Sequence, residues 1–232
     1  MMITRNILER TFKIQFGNRR ATCFTIDFEK RQYIIASKHL VGSIVGQSSI
    51  EIIRGGTWEN LPIKLVGHAD GDVDISVLAA ETLISPTHSL TLPPSDPTAA
   101  GMILGQDVYF LGFPFDIVSD ATLESNKNFP LPFVKKAILS QTVKGTIMLD
   151  GHNNPGFSGG PVVYYPKNDR SSDLSVAGVV YGFRHALGQV YPDQERKESP
   201  IGYYLYNTGI VHVHDICHAL NLIRQNPIGI KF

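Results

Sequence analysis

Short β-forming runs broken by turn residues recur along the whole chain. This punctuation constrains the fold more than any other feature of the sequence. QYIIAS (32–37) follows ATCFTIDF (21–28) at hairpin distance, and SSIEIIR (48–54), LPIKLVGH (61–68) and DISVLAA (74–80) continue the series. The pattern resumes with QDVYFLGF (106–113), KKAILSQTVKGTIMLD (135–150), GPVVYY (160–165), LSVAGVVYGF (174–183) and IGYYLYNT (201–208). β-Branched and aromatic residues suit a pleated, half-buried surface, and Gly, Pro, Asn and Asp suit the turns between. Short strands at this spacing predict an all-β sandwich or barrel. Between the halves, SPTHSLTLPPSDPTAAG (85–101) carries Pro86, Pro93, Pro94 and Pro97 and reads as a semi-rigid linker. The chain therefore reads as two β modules of similar size, about 10–84 and about 102–210, with no repeat between them.

The end of the chain has a different period. Ile216, Leu220 and Ile223 fall at i, i+4 and i+7, Ala219 lies beside them, and Pro227 stops the run. This predicts an amphipathic helix over about 213–225, with Asp215 near its start and Arg224 near its end, as the helix dipole favours.

Composition excludes several functions. Lys plus Arg and Asp plus Glu are both 21, so the formal net charge is zero. That argues against a main task of holding nucleic acid or an anionic membrane. Apolar residues at 43% and charged residues at 18% exclude the disordered class. Cys23 and Cys217 are too few for a disulfide scaffold. No run reaches the ~18 apolar residues of a membrane span. Arg5, Glu9, Arg10 and Lys13 interrupt the N-terminal run too often for a signal peptide, so the expected setting is cytoplasmic.

One segment carries chemistry. In NNPGFSGGPVV (153–163), Gly156, Gly159 and Gly160 surround Ser158 and allow backbone conformations closed to other residues. Such a loop can expose Ser158 and aim the N–H groups of Gly156 and Ser158 into one pocket, as an oxyanion hole requires. A nucleophilic serine needs a base, and the base needs an orienting acid. His39 directly follows the run QYIIASK, and Asp74 opens DISVL; Asp70 and Asp72 are the competing acids. The order His39, Asp74, Ser158 is the chymotrypsin order rather than the subtilisin or α/β-hydrolase order.

On these residues the sequence resembles the trypsin-like serine peptidases of the chymotrypsin fold, most of all the HtrA-type group. TCFTID…YIIASKHLVG resembles the strands ending at the catalytic histidine, and DGDVDISVL the aspartate motif. VYFLGFPF, LDGHNNPGFSGGPVV, VAGVVYGF and NTGIVHVHDICHAL resemble the opening of the second barrel, the serine loop, the substrate-pairing strand and the closing strand and helix. The likeness spans about residues 12–225. It implies two six-stranded antiparallel β-barrels with a C-terminal α-helix, in one peptidase domain without the PDZ module. It also implies a serine endopeptidase that needs no cofactor or metal and acts on a protein or peptide. Two departures stand out: Lys38 replaces a usual small residue, and Phe157 stands where digestive members have an Asp that pairs with a new N-terminus. Activation by N-terminal insertion is therefore not expected.

The resemblance assigns Val180, Tyr181, Gly182 and Phe183 to pairing with an extended substrate. Counting back from Ser158 puts His152 near the base of the specificity pocket. Asp150 matches the family motif as a structural residue. Three further features have plain readings. Residues 114–134, with Phe115, Phe129 and Phe133, read as a surface loop packed on the second barrel. His212, His214, Cys217 and His218 read as a histidine-rich helix face rather than a metal site. Arg184-His185 and Arg196-Lys197 read as solvated charge. The alternative function is an inactive or effector-switched barrel that binds proteins, regulated by a partner acting on the barrels directly.

Overall fold

The computed structural model describes residues 3–54, 56–85, 101–117, 130–166, 174–192 and 199–232. Most of the 85–101 linker and most of the 114–134 segment lie outside these residues.

After a short helix, α1 (Arg5–Leu8), the first barrel is built from β1 (Thr11–Phe16), β2 (Arg19–Phe28), β3 (Arg31–Ala36), β4 (Gln47–Arg54), β5 (Thr57–His68) and β6 (Ser76–Ala80). All neighbours are antiparallel, in the order β3-β2-β1-β4-β5-β6, and β3 closes on β6 with Ile34 opposite Leu78. β1 was not among the runs read from the sequence. Its alternation, Phe12 and Ile14 inward, is interrupted by Lys13, which is itself buried because Nζ donates to the Asp116 carbonyl at 2.8 Å.

The second barrel comprises β7 (Asp107–Gly112), β8 (Phe133–Val143), β9 (Thr146–Asp150), β10 (Pro161–Tyr164), β11 (Ser175–Val190) and β12 (Gly202–Asp215). Its order is β10-β11-β12-β9-β8-β7, closed by β10 against β7. The run 135–150 is two strands rather than one. Lys144 and Gly145 have φ of 50° and 79°, the paired left-handed conformation that turns a two-residue hairpin. Two six-stranded antiparallel barrels are thus present, as the sequence led us to expect.

Each barrel has its own core, and a third cluster joins them. Phe12, Ile14, Cys23, Ile34, Ile52 and Leu78 fill the first. Val108, Phe110, Leu149, Phe157, Val162 and Val213 fill the second. The seam holds Phe24, Ile35 and Val77 from one barrel, Leu111, Val163 and Val179 from the other, and Ile216, Leu220 and Ile223 from the terminal helix. That helix, α3, is Cys217–Gln225 and begins later than the predicted 213. Val211 and Val213 instead continue β12, where they pair with Leu149 and Ile147 of β9. Alternating β-branched residues took the strand partner, and Asp215 Oδ1 then accepts from the Cys217 N–H at 2.9 Å where the helix starts. β13 (Ile230–Lys231) pairs back onto β3. No helix of the described residues is long and apolar enough to cross a membrane.

Candidate active site

His39 and Asp74 meet at the first barrel's edge. His39 sits in a single helical turn, α2 (Lys38–Val41), directly after β3, and Asp74 lies just before β6. Since β3 pairs with β6, the two residues are carried to neighbouring strand ends. One carboxylate oxygen of Asp74 lies 2.6 Å from His39 Nδ1, and the other accepts from the His39 backbone N–H at 2.6 Å. Ring and backbone are gripped together, which fixes the imidazole's orientation. With Nδ1 carrying the proton toward the carboxylate, Nε2 keeps its lone pair for a proton. Asp70 and Asp72 are exposed and make no such contact.

The turn holding His39 is tied down on both sides. Lys38 Nζ donates to the carbonyls of Ala69 and Gly71, each at 2.8 Å. The residue that departs from the family pattern thus bridges the histidine turn to the loop before Asp74. Arg19 Nη1 donates to the His39 carbonyl at 2.8 Å. Phe16, Arg19, Lys38, His39 and Leu40 line a cleft of about 470 Å³.

Ser158 comes from the second barrel but is held against the first. Its carbonyl accepts from the Thr22 N–H at 3.0 Å. Gly159 has φ of 81°, and a Cβ there would lie 2.1 Å from the Thr22 carbonyl and 3.0 Å from Ser37 N. Only glycine permits that approach, which sets the serine loop against the residue where α2 begins. Gly156 has φ of 104°, and a Cβ there would meet the Phe113 carbonyl at 2.2 Å. Ser158 is partly exposed. Among the described residues, its hydroxyl makes no hydrogen bond.

The loop's backbone donors divide cleanly. The N–H of Phe157 goes to Asn154, that of Gly159 to Val180 and that of Gly160 to Phe157. Among the described residues, the N–H groups of Gly156 and Ser158 donate to nothing. These are the two that the sequence assigned to an oxyanion hole. Phe157 is buried in the second barrel, edge-on to Phe110 at 5.1 Å, so the loop is anchored by packing at this position.

Two anchors escaped the sequence reading. Thr22 Oγ1 donates to the Gly156 carbonyl at 2.7 Å and accepts from the Phe113 N–H at 3.1 Å. Asn153 is buried; its Nδ2 donates to the Gly182 carbonyl at 3.2 Å, and its Oδ1 accepts from the Asn154 N–H at 2.8 Å. Both residues lie within segments the sequence reading quoted, yet Gly156 and Phe113 for Thr22, and Gly182 for Asn153, are far away in sequence.

The residues assigned to substrate contact lie beside this loop. β10 pairs with β11 as far as Val179. Val180 is buried, and its N–H and carbonyl are taken by Gly160 and Gly159, so it is not free to pair with a substrate as the sequence suggested. Only Tyr181, Gly182 and Phe183 run past the end of β10. Tyr181 falls in a bulge opposite β12 and stacks on His214 at 3.9 Å between ring centroids. His152 is exposed, and its carbonyl accepts from Lys135 Nζ at 2.6 Å. Lys135 also reaches Asn154 Oδ1 and lies 5.3 Å over the Phe157 ring, and burial lowers the pKa of its ammonium. Asp150 ends β9, exposed.

The histidine cluster is not one helix face. His212 and His214 are on β12 and His218 is on α3. Burial pushes the His214 imidazole down to about 4, with His218 acting in the same direction and Asp74 against it. Among the described residues, no group of three or more His, Cys, Asp or Glu could hold a metal ion.

No protein-family model matches the chain, and no curated protein matches it in sequence. Solved structures do. The serine endoprotease of Yersinia pestis superposes with a TM-score of 0.58 at 16% identity, over 95% of this chain and 64% of that one. The HtrA-type protease AlgW with a tripeptide superposes at 0.57 and 18% identity, over 95% and 60%. The MamO protease domain of Magnetospirillum magneticum superposes at 0.54 and 14% identity, over 94% and 97%. The fold is that of the HtrA-type serine proteases. The chain spans about three-fifths of the length of the first two. At these identities the shared property is the two-barrel HtrA-type architecture, and any chemistry must be argued from the side chains themselves.

Proposed function

We propose that the protein is a serine endopeptidase acting through Ser158, His39 and Asp74. The observation that carries this reading is the double grip of Asp74 on His39. A surface ion pair has no need to hold both ring and backbone; a general base does. Ser158 Oγ attacks a peptide carbonyl while His39 Nε2 takes its proton, and Asp74 stabilises the imidazolium. The negative oxygen of the tetrahedral intermediate is held by the uncommitted N–H groups of Gly156 and Ser158. His39 then passes the proton to the leaving amine, and water releases the acyl group by the same steps in reverse. The substrate lies extended along Tyr181–Phe183 by strand addition. His152 sits near the base of its specificity pocket.

One observation supports a second reading, in which an effector switches the barrels on: among the described residues, Ser158 Oγ has no hydrogen bond to His39. Catalytic hydrogen bonds commonly tighten only when substrate is bound, so the first reading accommodates it. Incubation with a mixed peptide library, read by mass spectrometry, tests both. Cleavage products that vanish in Ser158→Ala support the endopeptidase. Products that appear only with an added protein partner support the switch. No products under either condition contradict both.

A further inference from the structure

β11 and β12 do not stop at the barrel wall. Beyond it they continue as a two-stranded ribbon, from His185 opposite Asn207 to Val190 opposite Gly202. Successive strand residues point to opposite faces. Tyr203 and Leu205 therefore share one face with Leu187, which is directly opposite Leu205. Ile201, bonded through its N–H to the Val190 carbonyl, extends the same alternation. These four side chains are 64–71% exposed, a degree of exposure that an apolar side chain packed on its own barrel would not show. Tyr204 and Tyr206 are on the other face, where the Tyr204 ring lies over Gly188 so closely that a Cβ there would be 2.5 Å from it.

We propose that this ribbon is a self-association arm, its Leu187–Leu205 face packing on the same face of a second copy. Charge argues for an identical partner. Neither 186–190 nor 201–207 contains an Asp, Glu, Lys or Arg, so two copies meet without like-charge repulsion. Area argues the same way. The four side chains present on the order of 500 Å² per copy, so two such faces bury about the 1,000 Å² that a specific interface requires. Identical faces packed together give a closed two-fold dimer rather than an open chain. A bare, uncharged apolar ribbon would otherwise invite uncontrolled strand pairing. A lipid surface is a poorer match, because interfacial segments rely on Lys and Arg around their apolar face. Arg184 stands at the ribbon's base, and the segment joining its two strands, 191–200, offsets Arg196 and Lys197 with Asp193, Glu195 and Glu198. That base is fastened to the serine loop, since Asn207 Nδ2 donates to the Asn153 carbonyl at 2.6 Å. The arm is independent of whether the site beside it is catalytic.

Sedimentation velocity of the full chain across about 1–100 µM tests this. The wild type sediments as a dimer at the upper end. Leu187→Glu with Leu205→Glu weakens dimerisation by roughly 100-fold or more, because four carboxylates then face one another. Leu205→Ala, which only trims an exposed side chain, weakens it by about 10-fold and serves if the charged variant does not fold. A wild type that stays monomeric throughout overturns the proposal, as does a dimer that both variants leave intact. Monomeric wild type that co-sediments with phosphatidylcholine–phosphatidylglycerol vesicles overturns it in favour of a lipid surface.

Discussion

Thr22 in the first barrel donates its hydroxyl to the carbonyl of Gly156 in the second, at 2.7 Å. The same oxygen accepts from the Phe113 N–H, and the Thr22 N–H donates to the Ser158 carbonyl. A single residue thus fixes both ends of the segment Gly156–Ser158 against the barrel that carries His39 and Asp74. Thr22→Val keeps the shape and removes the hydroxyl. It leaves a buried N–H without its partner, at a cost of about 1–3 kcal/mol. It also frees the Gly156 carbonyl to rotate, so turnover falls about 10-fold or more with little change in KM. Urea denaturation and peptide kinetics measure the two effects separately. Wild-type turnover in Thr22→Val would contradict this role.

Asn153 joins the serine loop to β11 through the Gly182 carbonyl. Asn153→Ala strands that carbonyl and the Asn154 N–H, again costing about 1–3 kcal/mol of stability. Because the loosened segment is the edge we propose for substrate pairing, KM is expected to rise more than kcat falls. A variant that loses only kcat would show that Asn153 serves the oxyanion loop instead.

Arg10 is fully buried and paired with Asp27 through two hydrogen bonds, at 3.0 and 2.5 Å. Removing one partner of such a pair leaves a charge in the interior. Asp27→Ala is expected to destabilise the fold by about 3–5 kcal/mol, measured by urea denaturation. A loss below about 1 kcal/mol would mean that the pair is effectively solvated.

How much of this was legible in the sequence depends on the range of the interaction. Strands, turns and the positions of His39, Asp74 and Ser158 follow from local pattern, and the two barrels follow from the motifs' likeness to a family. The segment 211–215 misled because V-H-V-H-D suits a strand while overlapping a helical spacing of Ile216, Leu220 and Ile223. Only its pairing with β9 decides between them. Thr22 and Asn153 could not be found locally: their decisive contacts reach 134 and 29 residues along the chain. Lys38 left a trace, as a cation where a small residue was expected, but its acceptors are carbonyls that no sequence pattern marks. The ribbon was hidden because IGYYLYNT reads like any other β-forming run, and nothing in its pattern says that it outruns the barrel.

His214 gives a pH dependence of definite sign. Burial holds its folded pKa at about 4, against an ordinary 6.5. The unfolded chain therefore binds a proton at His214 through a window in which the folded chain does not. Stability from this group is complete above about pH 6.5 and is lost as pH falls toward 4. His214→Phe keeps an aromatic ring against Tyr181 and removes the titration. Its Tm should fall less than that of the wild type between pH 7.5 and pH 5. Equal falls would place the sensitivity elsewhere.

The central claim is that Ser158 is a nucleophile activated by His39, which Asp74 orients. The most direct measurement is covalent labelling by a serine-directed phosphonate, read as the mass shift of the intact protein. The account predicts labelling of the wild type, none of Ser158→Ala, and labelling slowed by about 10⁴ in Asp74→Asn. Wild-type protein that stays unlabelled, or Asp74→Asn labelled at the wild-type rate, would contradict it.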